Sequence, residues 1–234
     1  MFSLTIAGLQ KTSLIDFPGK VSCVVFLTGC NFRCPYCHNP DLALGRYPAR
    51  FSLDELNAFL SRRLALLDGV VISGGEPTLH ADLPGLCRNF RAMGLAVKLD
   101  TNGTRPEVLA ELIQEDLLDY IAMDLKTAPD AYQPPWCPEG SGSAVRRSIR
   151  MIMASGVDYE FRTTCAPGFV DEKRIARIAT AIKGARRYIL QNFNAVNMLD
   201  PEYCHTLSCT QLSARQMNAL VEAAAPLVAS CSIR

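Results

Sequence analysis

Three cysteines stand within eight residues, Cys30, Cys34 and Cys37, in the segment Gly29–Pro40 (GCNFRCPYCHNP). The spacing is C-x3-C-x2-C. Thiolates this close on one loop can each take a different iron of a single cubane, and the loop is too short to bring a ligand to the fourth iron. An iron without a protein ligand is open to a small molecule. The competing chemistry is structural zinc, which asks for four ligands, usually as two pairs. Cys204, His205 and Cys209 could supply a second group for zinc or for another cluster, with Cys137 as a further loop thiol.

Five other polar segments could complete a site. Ser73–Pro77 (SGGEP) offers two glycines that let a ligand approach bare backbone, or an ordinary turn. Asp100–Gly103 (DTNG) contains a turn dipeptide and a carboxylate. Asp124–Lys126 (DLK) reads as a carboxylate–lysine pair, either at the surface or in a site. If Asp100 and Asp124 are neighbours, their like charges need a cation or a donor. Arg162, in the run RTTC, needs an acceptor: Glu76, Asp124 or a ligand carboxylate. Gln191 and Asn192 open the run QNFN. His80 and His205 read as surface residues. Cys23, Cys87, Cys165 and Cys231 read as small buried apolar residues.

These segments follow a regular frame. Short β-branched runs at Val21–Leu27, Gly69–Ser73, Leu95–Asp100, Asp119–Asp124, Val157–Thr164 and Arg187–Phe193 predict strands. Between and after them, amphipathic stretches predict helices over Ser52–Leu67, Asp82–Met93, Pro106–Asp116, Ser143–Ser155, Asp171–Lys183 and Ser213–Val228. Ser52 with Glu55, and Ser213 with Gln216, have capping-box spacing. Apolar strands alternating with helices imply parallel pairing and right-handed crossovers. Six such units are fewer than the eight of a closed barrel. The expectation is an α/β fold, a partial (βα)6 barrel with parallel strands inside and helices outside. All the polar segments fall at strand C-termini, where barrel-like folds place their sites. The Pro- and Gly-rich insert Ala128–Gly142 and the stretch Asn194–Thr210 read as loops, the first of them at the surface.

Composition bounds the rest. The 234 residues suit one domain, 1–234, with a core over about 18–195 and a C-terminal loop and helix at 196–234. Lys and Arg total 24 against 23 Asp and Glu, so no basic excess points to nucleic acid. No signal peptide and no membrane span is read from the chain. The expected compartment is cytoplasmic, where ten cysteines remain reduced rather than paired as disulfides.

The cysteine motif with an aromatic, Tyr36, before its third Cys resembles the radical S-adenosylmethionine (SAM) superfamily. The continuation Cys37-His38-Asn39-Pro40 is similar to the glycyl-radical-enzyme activating proteins. The order GLQKTSLIDFPGK, SGGEPTL, VKLDTNGT, MDLK and EFRTT is most similar to the anaerobic ribonucleoside-triphosphate reductase activating family. The resemblance covers about residues 6–200.

It implies an oxidoreductase holding a [4Fe–4S] cluster on Cys30, Cys34 and Cys37, with SAM on the open iron. It places cofactor contacts at Tyr36, His38, Gly74, Gly75, Glu76, Asp100, Thr101, Asn102, Asp124, Lys126, Arg162 and Gln191. In pyruvate formate-lyase activating relatives, positions matching Asp100, Thr101 and Asp124 are associated with a monovalent cation. A histidine that relatives often carry near the sixth strand has no counterpart here. The implied chemistry is reductive cleavage of SAM to a 5′-deoxyadenosyl radical that takes hydrogen from a glycine of an anaerobic partner enzyme. Flavodoxin or ferredoxin is the implied electron donor. Other readings stay open: a radical enzyme for pyruvate formate-lyase, a small molecule or a peptide, and a non-catalytic iron–sulfur or zinc protein.

Overall fold

The computed structural model describes residues 4–203 and 211–234. The described strands are β1 (Ile6–Ser13), β2 (Ser22–Leu27), β3 (Gly69–Gly74), β4 (Ala96–Thr101), β5 (Tyr120–Asp124), β6 (Asp158–Cys165), β7 (Tyr188–Asn192) and β8 (Cys231–Ile233). The helices are α1 (Pro40–Ala43), α2 (Leu53–Ser61), α3 (Leu83–Ala92), α4 (Pro106–Gln114), α5 (Ser141–Ala154), α6 (Glu172–Ala181) and α7 (Ala214–Ala224).

The chain forms two compact units. One takes in the chain up to Asn31, then Asp41–Thr101 and Glu107–Ile121; the other takes in Phe32–Pro40, Asn102–Pro106 and the chain from Ala122. In the first, the strand order is β1-β2-β3-β4-β5. β1 lies antiparallel to β2, and β2, β3 and β4 pair in parallel, from Ser22 beside Gly69 to Leu27 beside Gly74. In the second, the order is β5-β6-β7-β8, with β6, β7 and β8 parallel.

Apolar, β-branched strands drive this arrangement. Val25, Val70, Val71 and Ile72 have no exposed surface, as parallel strands covered on both faces require. The helices start where their caps sit. Ser52 and Glu55 form a reciprocal capping box for α2, and Ser213 and Gln216 form one for α7. Asp171 accepts from the Arg174 amide to open α6.

Two strands lie outside the six expected. β1 carries an exposed run, Gln10-Lys11-Thr12, because an antiparallel edge strand needs only partial cover. Its sequence therefore lacks the apolar signature of its neighbours. β8 has three residues, too few for any period to register. The insert Ala128–Gly142 also departs from the surface loop expected. Ala128, Pro129, Tyr132, Cys137 and Ser141 are buried, and α5 already starts at Ser141. Among the described residues, no helix is long and apolar enough to cross a membrane.

Candidate active site at the strand ends

In the first unit, β3 runs into the turn Ser73–Pro77, which crosses the end of β2 at close range. Gly75 N donates to Leu27 O and Glu76 N donates to Gly29 O, both at 2.8 Å. A Cβ on Gly75 would stand 1.9 Å from Gly29 O, and one on Gly74 (φ +122°) 2.2 Å from Leu27 O. Only glycine lets these backbones meet. The turn is therefore bolted to the residue that precedes Cys30.

Glu76 is 1 % exposed. Its Oε1 accepts from Thr78 N at 3.1 Å, from Thr78 Oγ1, and from Thr101 Oγ1 at 2.7 Å. A carboxylate buried this deeply needs such donors. His80 is half-buried, and its Nε2–H donates to Thr28 O at 2.9 Å. It is not the surface residue expected: it ties the turn after Glu76 to the strand end that feeds the cysteine loop.

Asp100 ends β4 beside Ser73. Ser73 Oγ donates to Asp100 Oδ2 at 3.1 Å, and Lys98 Nζ lies 2.5 Å from Asp100 Oδ1. Lys98 is 1 % exposed and lies over the Tyr120 ring. It was overlooked in the sequence, although a residue two before Asp100 on a strand shares its face.

In the second unit, Asp124 forms a three-membered charge cluster. Arg162 Nε donates to its Oδ1 at 2.7 Å, and Lys126 Nζ to its Oδ2 at 3.1 Å. Asp124, one of the acceptors considered for Arg162, is among its partners. Burial works to raise the Asp124 pKa, but Arg162 and then Lys126 outweigh it and hold the carboxyl well below its ordinary range. Burial works to lower the Lys126 pKa, and the charge of Asp124 outweighs that, so the net shift is upward. The pair is no surface pair: the Lys126 side chain is 19 % exposed. Its amide also donates to the Tyr132 hydroxyl. Gln191 follows Ile189, the register partner of Arg162, by two residues, so Gln191 and Arg162 project from one face of the sheet. Asn102 accepts from Thr104 N and Thr104 Oγ1, which assigns its side-chain oxygen to the turn.

Each oxygen of Asp100 and of Asp124 accepts from at least one protein donor, and Thr101 Oγ1 donates to Glu76.

The cysteine loop is fixed through its backbone. Gly29 N and Cys30 N donate to Leu42 O and Ala43 O of α1. In the second unit, Arg33 N donates to Trp136 O at 2.7 Å, Cys37 N to Cys34 O at 3.0 Å, Asp200 N to Pro35 O and Leu199 N to Cys37 O. Rings pack around that part of the loop. Phe32 meets Tyr132 and Trp136, and Tyr36 meets Phe169 at 4.8 Å, Phe193 and Tyr203. Three of these contacts are edge-on and two tilted, and together the rings make an apolar wall beside the loop. Trp136, inside the insert, packs on Phe32, Tyr132 and Phe169, a role the Pro- and Gly-rich composition concealed. The Tyr36 hydroxyl is buried with no partner among the described residues, and burial pushes it well above the ordinary phenol range. His38 is exposed, with Nδ1 3.4 Å from Val196 O.

Cys23, Cys87 and Cys165 are fully buried; burial pushes the first thiol up to about 11 and the other two to about 12. They are packing residues. Cys231 differs, being only partly covered on β8, at the sheet edge. Cys204, His205 and Cys209 lie outside the described residues. None of the eight described cysteines is in a disulfide.

The comparisons with known proteins agree with this frame. The family model for the radical SAM superfamily matches residues 24–180. SuiB of Streptococcus suis, in a crystal structure bound to S-adenosylmethionine, has the same fold, with a TM-score of 0.61 at 12 % identity. The match covers 88 % of this chain and 48 % of that larger one. The chain belongs to the radical SAM superfamily, whose members use a [4Fe–4S] cluster and S-adenosylmethionine.

A finer assignment follows from two curated relatives. A putative glycyl-radical enzyme activating enzyme of Methanocaldococcus jannaschii is 37 % identical over 203 residues, covering 85 % of this chain and 83 % of the relative. The pyruvate formate-lyase-activating enzyme of Clostridium pasteurianum is 30 % identical over 192 residues, covering 77 % of each. Within the superfamily the chain is one of the glycyl-radical-enzyme activating enzymes, an oxidoreductase.

Proposed function

We propose that this protein activates anaerobic ribonucleoside-triphosphate reductase by removing a hydrogen atom from one of its glycines. The observation that carries the reading is the order of motifs from GLQKTSLIDFPGK through CHNP to EFRTT on a chain 37 % identical to a glycyl-radical activating relative. The cluster and SAM, when bound, supply one-electron cleavage of the sulfonium and an adenosyl radical that takes the hydrogen.

The donor set suits the group. Three thiols outside any disulfide on a short loop, with the loop backbone tied to α1 and Trp136, suit a cubane that leaves one iron open.

The residues have distinct tasks in this reading. Cys30, Cys34 and Cys37 hold the cluster. Gly74 and Gly75 offer bare backbone to the methionyl amine, and Glu76, fixed by Thr78 and Thr101, orients that turn. Arg162 and Lys126, both braced on Asp124, receive the carboxylate end. Gln191 and Tyr36 serve the adenosine, and Asp100, Thr101, Asn102 and His38 shape the turns around it. The aromatic wall keeps water from the radical, which reacts with whatever lies nearest. No general base is required. Residues 1–234 act as one radical SAM domain in the cytoplasm, where thiols stay reduced, with flavodoxin or ferredoxin as electron donor.

The test is anaerobic mixing of reduced, cluster-loaded protein with SAM and candidate enzymes. A glycyl-radical doublet in the electron paramagnetic resonance spectrum of the reductase, with 5′-deoxyadenosine formed, supports the proposal. The 30 % identity to the Clostridium relative favours pyruvate formate-lyase as the second candidate. A doublet only there would move the assignment. Cofactor cleavage with no doublet in either would assign another substrate.

A further inference from the structure

We infer that the Tyr36 hydroxyl is a hydrogen-bond donor kept for an acceptor that arrives with the bound cluster or with SAM. The inference rests on the proposed function and concerns the hydroxyl, not the ring. A phenylalanine would bring the same ring to the site, so the oxygen is what needs a reason.

The residues involved lie in the second unit. Tyr36 is 3 % exposed, and its hydroxyl oxygen is buried with no hydrogen-bond partner among the described residues. Phe169 and Phe193, which pack on its ring, carry no acceptor, and the hydroxyl of Tyr203 is turned to Pro167 O. The other tyrosines of this unit are all provided for. Tyr132 Oη accepts from Lys126 N at 2.8 Å and Tyr159 Oη from Arg186 N at 3.3 Å, while Tyr188 Oη pairs with Thr163 Oγ1 at 2.8 Å. Of the five, the tyrosine left without a partner is the one inside the cysteine motif.

A buried hydroxyl without a partner costs stability, so a fold keeps one where something else supplies the partner. Tyr36 stands between Cys34 and Cys37 in the chain, next to the thiolates that hold the cluster in the proposed function. Cluster sulfurs accept hydrogen bonds, and so do the ring nitrogens and hydroxyl oxygens of SAM. Facing either, a phenol donates its proton. Loading the site thus completes a hydrogen bond that the chain by itself does not make.

The experiment compares wild type, Tyr36→Phe and, as a control, Tyr132→Phe. Each is measured anaerobically in three states: cluster-free, cluster-loaded, and cluster-loaded with SAM. The readouts are the thermal midpoint, the rate of iron loss to a chelator, and SAM affinity by equilibrium dialysis. Cluster-free Tyr36→Phe should have an unchanged midpoint or one raised by up to about 4 °C, because it loses only an unsatisfied polar atom. On loading, that advantage should reverse. If the acceptor is a cluster sulfur, the reversal comes with the cluster, and iron is lost about five times faster than from wild type. If the acceptor is an atom of SAM, the reversal comes with SAM, and affinity falls about fivefold to tenfold while iron loss is unchanged. Tyr132→Phe should have a lowered midpoint in all three states, since its hydroxyl is already in use.

A Tyr36→Phe difference that is the same in all three states overturns the inference. So does a cluster-free Tyr36→Phe that is less stable than wild type or does not fold, because the hydroxyl then has a partner within the chain. If wild type takes up neither cluster nor SAM, the proposed function fails and the inference goes with it. If wild type takes up both and Tyr36→Phe matches it throughout, the inference alone fails.

Discussion

Thr101 Oγ1 donates to Glu76 Oε1 across 2.7 Å, joining the end of β4 to the turn after β3. This bond fastens the glutamate of the SGGEP turn across the strands, beside the donors that Thr78 supplies just after the turn. Thr101→Val is close in shape but removes the donor. The expected outcome is a loss of about 1–3 kcal/mol in urea unfolding, the cost of under-satisfying a buried polar group. SAM affinity should fall as well, while the cluster content, measured as iron and sulfide per chain, should hold.

Gly75→Ala is a sharper break. Its new methyl would meet Gly29 O at 1.9 Å, and that atom belongs to the backbone leading into Cys30. Neither backbone can retreat without losing the bonds from Gly75 N and Glu76 N. The expected result is poor cluster retention together with a stability loss of several kcal/mol, about what a severe steric clash costs. Iron analysis after anaerobic reconstitution checks it. Near-normal iron content would mean the two segments separate more readily than their contacts indicate.

Cys34→Ala and Cys87→Ala form a matched pair. Cys34 is in the motif, and Cys87 is a fully buried packing residue of α3. The first should abolish both the cluster absorbance and formation of 5′-deoxyadenosine. The second should keep both and lose about 1–2 kcal/mol of stability to the small cavity. Retention of the cluster in Cys34→Ala would show the ligands to be misassigned.

Arg162→Met should make the protein more sensitive to acid. Asp124 has a depressed pKa in the folded state, chiefly through Arg162 once burial is overcome. A depressed carboxylate contributes stability above its unfolded pKa of about 3.9 and loses that contribution as pH falls toward the folded value. Without Arg162 the folded pKa rises, so the protective window narrows. The acid-unfolding midpoint, followed by circular dichroism, should move to higher pH in Arg162→Met. Arg162→Lys should restore part of the shift. An unchanged midpoint would mean Lys126 alone suffices.

Glu160 of β6 has no exposed surface, and both its oxygens lie 3.1 Å from the Arg234 guanidinium. Arg234→Ala should cost about 1–3 kcal/mol, because the carboxylate loses a paired donor. The Arg234 side chain is 39 % exposed, so the loss should stay below that of a fully buried pair. Chemical unfolding measures it, and cofactor affinity should be unaffected.

How much of this was legible beforehand follows from the kind of signal each residue leaves. The six central strands register because each is a short, largely apolar run closed by polar residues; Val70-Val71-Ile72 before Ser73 is the plainest case. The capping boxes at Ser52 and Ser213 are local in sequence, and they formed as spaced. β1 and β8 escaped because an exposed edge strand and a three-residue strand carry no sustained period. Trp136 and His80 escaped for a different reason. Their importance lies in contacts with Phe32 and Thr28, about a hundred and about fifty residues away, and spacing says nothing of such partners.

The cysteine triad, the order of the strand-end motifs and the chemistry they imply were determined by the sequence alone, since cluster ligation needs only three thiolates on one short loop. Tertiary structure decided what each polar residue does with its charge. Lys98 and Asp100 are two residues apart in the chain, yet only burial in β4 makes their contact obligatory, because an ammonium out of water must find a carboxylate. Arg162 and Asp124 are 38 residues apart and became partners only when β5 and β6 came side by side. Residue types limit which partners are chemically permitted. The fold selects among them, by removing water and setting which acceptors come within reach.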